Sequence, residues 1–171
     1  MIEYLIGDAT DPQTPGRKII SHICNDVGGW GAGFVLAVSA RWSEPETAYR
    51  DLHPNNRTLG LVQFVGVEPD TIVTNMIAQT GYGNGNRNSH RTNDSDSTPP
   101  IRYDALEVCL KKVADYALTY NTSVHMPRIG CGLGGGKWAL VEPIVAKTLD
   151  KIQVFVYDPN TRERAKHEGF L

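Results

Sequence analysis

The sequence has no run approaching the ~18 consecutive apolar residues that a membrane span requires. Its first apolar stretch, MIEYLIGDATDP, already carries Glu3 within it, so neither a secretory signal nor a transmembrane segment is expected, and no membrane partner is foreseen. Cysteine is scarce. Cys24, Cys109 and Cys131 are odd in number, form no CxxC pair and sit in apolar or glycine-rich surroundings, which fits reduced thiols in a cytoplasmic protein and not a disulfide framework. The histidines, His22, His53, His90, His125 and His167, show neither HxxxH nor HxH spacing, so no metal site is expected. An excess of one charge is missing as well. With 17 Lys+Arg against 19 Asp+Glu the net charge is −2, and no broad field draws the chain to nucleic acid or to an acidic membrane. Compact recognition of one phosphate-bearing molecule stays open.

What is present is enough chain, 171 residues, for one domain whose core needs no disulfide or metal. A single domain over 1–171 is the expected organisation. Apolar runs rich in Ile, Val and Tyr alternate with helical patterns, the mark of an α/β sandwich with a largely parallel or mixed sheet. The expected strands are Ile2–Ile6, Lys18–Ile23, Leu59–Val67, Thr71–Ile77, Ser123–Pro127 and Ile152–Tyr157. Most are continuous instead of alternating, as when helices cover both faces of a sheet. The expected helices are Gly33–Arg41, Pro45–Leu52, Pro100–Tyr120 and Trp138–Leu149. In the third, Leu106, Cys109, Leu110, Val113 and Ala117 recur at spacings of three and four, a core stripe opposite Glu107, Lys111, Lys112 and Asp115. Residues 80–100, TGYGNGNRNSHRTNDSDSTPP, form a polar insertion too long for a routine connection: a solvated loop, or a lid whose arginines and asparagines reach phosphate or ribose. The closing DPNTRERAKHEGF reads as a short charged tail with a turn and a helical cap, and no repeat or domain linker is visible.

Glycine is bunched. Nine of the 17 glycines fall within residues 28–33 and 130–136. Each cluster follows an expected strand and precedes an expected helix, a turn that leaves several N–H groups unpaired beside the positive end of the helix dipole. Two such loops at one sheet edge form a cradle able to close on a diphosphate from both sides. Plain tight turns are the simpler alternative. A Walker A loop is excluded, because Cys131 stands at its first glycine position and Trp138 replaces its hydroxyl residue. Gly130, Gly132 and Gly135 do spell GxGxxG, with Asp158 after the next strand, but residues 159–171 leave no room for the rest of a doubly wound nucleotide fold.

Ile6-Gly7-Asp8-Ala9, then Ser21-His22-Ile23-Cys24-Asn25 running into Gly29-Trp30-Gly31-Ala32-Gly33, then Met126-Pro127-Arg128-Ile129-Gly130-Cys131-Gly132-Leu133 followed by Trp138 together resemble a macro domain. The resemblance runs from residue 2 to about 157, with the 80–100 insertion unmatched, and the PRIGCGL string is its most specific part. It points to the branch that holds the terminal ADP-ribose protein glycohydrolases and the ADP-ribose 1''-phosphate phosphatases. It implies a three-layer α/β/α sandwich, the macro domain fold, with ADP-ribose as ligand and no cofactor.

By that resemblance Asp8 accepts from the adenine 6-amino group and Ala9 donates through its backbone; an Asp8 that merely caps a turn is the alternative. Gly31, Ala32, Gly33 and Phe34, with Ile129, Gly130, Cys131, Gly132 and Leu133, hold the diphosphate and the distal ribose. Tyr157 stacks on adenine or simply closes the core as a strand residue. Trp30, Gln79, Arg128 and Gly134 complete the candidate ligand-binding set. The glycohydrolase members carry a lysine at the end of the fourth strand, where this chain reads Asn75-Met76-Ile77-Ala78-Gln79, and an aspartate where it has Gly134. A covalent lysine mechanism is therefore not expected.

His22, Asn25 and Trp30 match the phosphatase-like members instead. His22 is a candidate acid or base, or a satisfied core histidine. Asn25 would orient the distal ribose or an attacking water, and Asp26 would supply a carboxylate or only form a turn. Cys131 is read as a packed thiol in preference to a nucleophile. Hydrolysis at the anomeric carbon then needs a positioned water, a diphosphate that stabilises an oxocarbenium-like state, and a good leaving group such as an Asp or Glu ester. The expected function is removal of mono-ADP-ribose from a modified protein or nucleic acid end, with a 1''-phosphate phosphatase or a non-catalytic ADP-ribose reader as alternatives.

Overall fold

The β-branched and aromatic runs become strands and the three-and-four spacings become helices. The structure, a computed structural model, describes residues 1–82 and 99–160; most of the 80–100 insertion, His90, His167 and the tail beyond 160 lie outside the described residues. In chain order the elements are β1 (Ile2–Ile6), β2 (Lys18–Asn25), α1 (Phe34–Arg41), α2 (Glu44–Arg50), β3 (Val62–Glu68), β4 (Thr71–Gln79), α3 (Tyr103–Tyr120), β5 (Ser123–Pro127), α4 (Trp138–Thr148) and β6 (Val154–Asp158), with a 3₁₀ turn at Pro54–Asn56. They form a three-layer α/β/α sandwich whose six-stranded sheet runs β1-β6-β5-β2-β4-β3. The pairings are parallel except β3 against β4.

Successive residues of a strand point to opposite faces, and the core divides accordingly. Ile19, Met76, Val124, Met126, Val154 and Val156 face α3 and α4, meeting the stripe of Leu106, Cys109, Leu110, Val113 and Ala117. Ile20, Val73 and Ile77 face α1 and α2 together with Trp30, Val38 and Tyr49. The central β2 and β4 are buried almost throughout. Edge strand β3 alternates between half-buried and exposed, and β1 is largely exposed; the expectation of strands covered on both faces holds for the centre of the sheet and fails at its edges.

Several boundaries move for local reasons. The strand expected from Leu59 starts at Val62, because residues 58–61 close a turn through Leu61 N–H to Thr58 O (3.1 Å). The helix expected from Pro100 starts at Tyr103, since Ile101 bridges Gln79 and donates its N–H to Gly134 O (3.1 Å). The last strand starts at Val154, not Ile152, whose N–H still closes the end of α4 on Leu149 O. At their carboxyl ends β2 and β4 reach Asn25 and Gln79, past the Ile23 and Ile77 expected. Among the described residues no helix is long and apolar enough to cross a membrane.

Candidate functional site

Strands β2 and β5 are neighbours, yet the chain leaves them for opposite sides of the sheet: β2 leads through α1 and α2 toward β4, and β5 leads through α4 to β6. Such a switch point is where an open parallel sheet leaves a crevice at its carboxyl edge. Here the crevice is widened, because the β2–β5 ladder stops at Ile20↔His125. A cavity of about 1230 Å³ opens there, walled by loop one, which joins β2 to α1, and loop two, which joins β5 to α4. The two loops approach at Gly33, where a Cβ would stand 3.3 Å from Leu133 Cδ1.

Both helix N-termini that follow these loops suit an anion. Gly33 caps α1 at φ 81° with no side-chain hydrogen bond, and the first turn holds no acid. Lys137 precedes α4 with the same two properties. Uncapped first-turn N–H groups and the helix dipole favour negative charge. Loop two satisfies only part of itself: Cys131 N–H bonds Arg128 O, Gly135 N–H bonds Gly132 O, and Gly136 N–H bonds Gly130 O. The N–H groups of Gly130, Gly132, Leu133 and Gly134 take no part in those turns.

His22, Asn25, Trp30, Gly31, Ala32, Gly33, Phe34, Gln79, Arg128, Ile129, Gly130, Cys131, Gly132, Leu133, Gly134 and Tyr157 all line the cavity. Asp8, Ala9 and Asp26 do not. Asp8 Oδ1 instead accepts from Thr10 N–H (2.8 Å) and Thr10 Oγ1 (2.7 Å), the turn-capping alternative, and Ala9 is buried. Asp26 Oδ1 accepts from Gly81 N–H (2.9 Å), so this carboxylate pins the start of the insertion and is not placed as a catalytic group.

The remaining polar side chains are largely committed. Asn25 Oδ1 accepts from Val27 N–H and Gly29 N–H, and its Nδ2 donates to Gly29 O. This amide shapes loop one, at the wall of the cavity. Arg128 lies over the rings of Tyr4 and Trp138 and donates from Nε and Nη2 to Asp158, so its charge is paired before any phosphate arrives. Gln79 Nε2 donates to Gly81 O. The Tyr157 hydroxyl shares a hydrogen bond with His125 Nδ1 (2.9 Å), and its ring is nearly buried while still lining the cavity. Burial pushes the Cys131 thiol up to about 11, which leaves it protonated and unsuited to nucleophilic attack.

His22 is buried at the cavity wall, with one ring nitrogen held by Asn75. Asn75 Nδ2 donates to Pro45 O and Gln63 Oε1, which turns Asn75 Oδ1 toward His22 Nε2 at 2.7 Å. Nε2 therefore carries the proton and Nδ1 the lone pair. Burial lowers the pKa to about 4, so at neutral pH His22 has no proton to give as an acid. Its Nδ1 is buried without a hydrogen-bond partner among the described residues, and its ring stands nearly perpendicular to that of Trp30 (centroids 5.3 Å apart).

The sequence pattern missed Arg50, Tyr82 and Asp158, which also line the cavity. Arg50 Nη2 donates to Trp30 O (3.2 Å) and pairs with Glu46; the visible Glu46/Arg50 spacing of four signals only a helix surface pair. Tyr82 packs beside Gly29. Among the described lining residues there is no lysine, and the one carboxylate is Asp158.

No family model matches the chain. A macrodomain protein from Streptomyces coelicolor is 46% identical to it, with a TM-score of 0.76 over 92% of this chain and 99% of that one. The chain belongs to the macrodomain family. A Bacteroides thetaiotaomicron protein of unknown function is 51% identical to this macrodomain, with a TM-score of 0.83 over 92% of this chain and 98% of that one. Among curated relatives, the Danio rerio chromodomain-helicase-DNA-binding protein 1-like is 29% identical over 156 residues, 90% of this macrodomain, which spans only 15% of that protein's length. The ADP-ribose 1''-phosphate phosphatase of Candida albicans is 26% identical over 168 residues, covering 92% of this chain and 99% of that one.

Proposed function

We propose that this macrodomain binds ADP-ribose in the crevice between loops one and two and hydrolyses a mono-ADP-ribosyl linkage, with esters on Asp or Glu side chains as the favoured substrates. The observation that carries the reading is the pair of glycine loops that wall one cavity, loop one ending there at the uncapped N-terminus of α1. Backbone amides so placed suit a diphosphate without lysine or arginine.

The polar inventory of the cavity favours an undemanding substrate. With His22 neutral, Cys131 protonated and Asp158 tied to Arg128, no strong general acid is at hand among the described residues for a poor leaving group. An ester needs none. Water attacks the anomeric carbon of the distal ribose, the bond to the target's carboxylate oxygen breaks with its electron pair, and the proton shed by water passes to solvent. Held phosphates stabilise the oxocarbenium-like charge at that carbon.

A second reading, ADP-ribose 1''-phosphate phosphatase, is supported by the Candida albicans relative, matched over nearly its whole length, and by His22 at the cavity wall. Parallel incubation with an auto-mono-ADP-ribosylated protein and with ADP-ribose 1''-phosphate separates the readings. Free ADP-ribose from the protein substrate is the expected product. Phosphate release alone would favour the phosphatase, and inertness toward both would leave a reader of ADP-ribose.

A further inference from the structure

We propose that Tyr49 is the positioning residue of loop one: its buried hydroxyl fixes the peptide from Asn25 to Gly29 in the form that receives the ligand. The inference rests on the cavity being an ADP-ribose site and adds a residue outside the lining to its machinery.

Tyr49 lies on α2 and is fully buried. Its ring packs 5.4 Å from that of Trp30 and lies under the Arg57 guanidinium, 5.6 Å away. Its hydroxyl accepts Gly28 N–H (3.1 Å) and stands 2.7 Å from both Asn25 O and Asn25 Oδ1. The same Oδ1 takes Val27 N–H (3.1 Å) and Gly29 N–H (3.0 Å). One phenol and one amide thus hold the whole turn that leads into the uncapped N-terminus of α1.

The chemistry points to the loop more than to the core. A hydroxyl buried among Ile20, Cys24, Val38 and Ile77 costs free energy unless it is hydrogen-bonded, and every bond it makes goes to residues 25–28. Loop one carries four glycines in residues 28–33, and glycine backbone is the most entropically expensive to order. Gly28, whose N–H the hydroxyl accepts, sits at φ 87°, a left-handed backbone that favours glycine. A loop ordered in advance does not incur that ordering cost when ligand arrives.

Tyr49→Phe removes one oxygen and keeps the ring contacts. We expect ADP-ribose affinity to fall about tenfold, in line with loss of one or two hydrogen bonds, while AMP, which lacks the distal ribose and second phosphate, changes less than about twofold. KM should rise with kcat nearly unchanged, as for binding shared by ground and transition states. Hydrogen–deuterium exchange of the peptide holding Gly28 and Gly29 should quicken about tenfold without ligand. Val73→Ala, in the same cluster but on β4, lowers stability through packing alone and should leave affinity and loop exchange at wild-type values. Wild-type affinity and loop exchange in Tyr49→Phe, whatever its melting temperature, would overturn the proposal, as would equal losses in Val73→Ala. Failure of the wild-type protein to bind ADP-ribose would instead refute the ligand reading, and the exchange ratio would still decide whether Tyr49 positions the loop.

Discussion

His22 and His125 are both neutral in the folded protein, each lowered to about 4 chiefly by burial. In the unfolded chain a histidine titrates near 6.5, so between those values the unfolded state binds protons that the folded state refuses. Stability is therefore fully present above about pH 6.5 and falls as pH drops toward 4, by about 3 kcal/mol for His22 at the lower end. Urea midpoints measured from pH 7.5 to 4 should show this decline, and His125→Gln should flatten part of it. Asn25→Ala frees Val27 N–H and Gly29 N–H together and should weaken ADP-ribose binding more than Asp26→Ala, whose carboxylate holds Gly81 among the described residues; titration of both variants checks the order. At this scale the sequence was half legible. It singled out His22 and Asn25, but it could not show that Asn75, 53 residues away, sets the His22 tautomer, nor that loop one consumes the Asn25 amide.

Loop two is the element with least freedom to change. Gly130 holds φ 72°, and a Cβ there would meet Ile101 Cδ1 at 2.3 Å. Gly130→Ala should cost at least about 2 kcal/mol from left-handed strain and overpacking combined, read as a drop in melting temperature. Gly132→Ala, with open space around it, should cost far less. Most elements were legible from periodicity, since a buried strand and an amphipathic helix each leave a pattern in residue type. The misplaced boundaries were tertiary in origin: Ile101 is drawn out of the expected helix by Gln79 and Gly134, and β2 and β4 extend because each completes the other's ladder.

At the scale of the molecule, strand order was the feature that residue patterns did not supply. The cavity exists because β2 and β5 are adjacent and their connections diverge, a relation between segments about a hundred residues apart. The glycine clusters nonetheless marked both walls, because close approach to an anion and uncapped helix starts require small residues wherever the strands lie. A net charge of −2, no lysine among the described lining residues, and lining arginines Arg50 and Arg128 already paired with Glu46 and Asp158 imply that binding depends on fixed dipoles at short range instead of a long-range field. ADP-ribose affinity should accordingly change less than about threefold between 50 and 500 mM salt, as followed by fluorescence titration. The most direct test of the central claim is calorimetric titration of the protein with ADP-ribose. Saturable heat at one ligand per chain is the expected result, and no heat at millimolar ADP-ribose would contradict the assignment of this cavity.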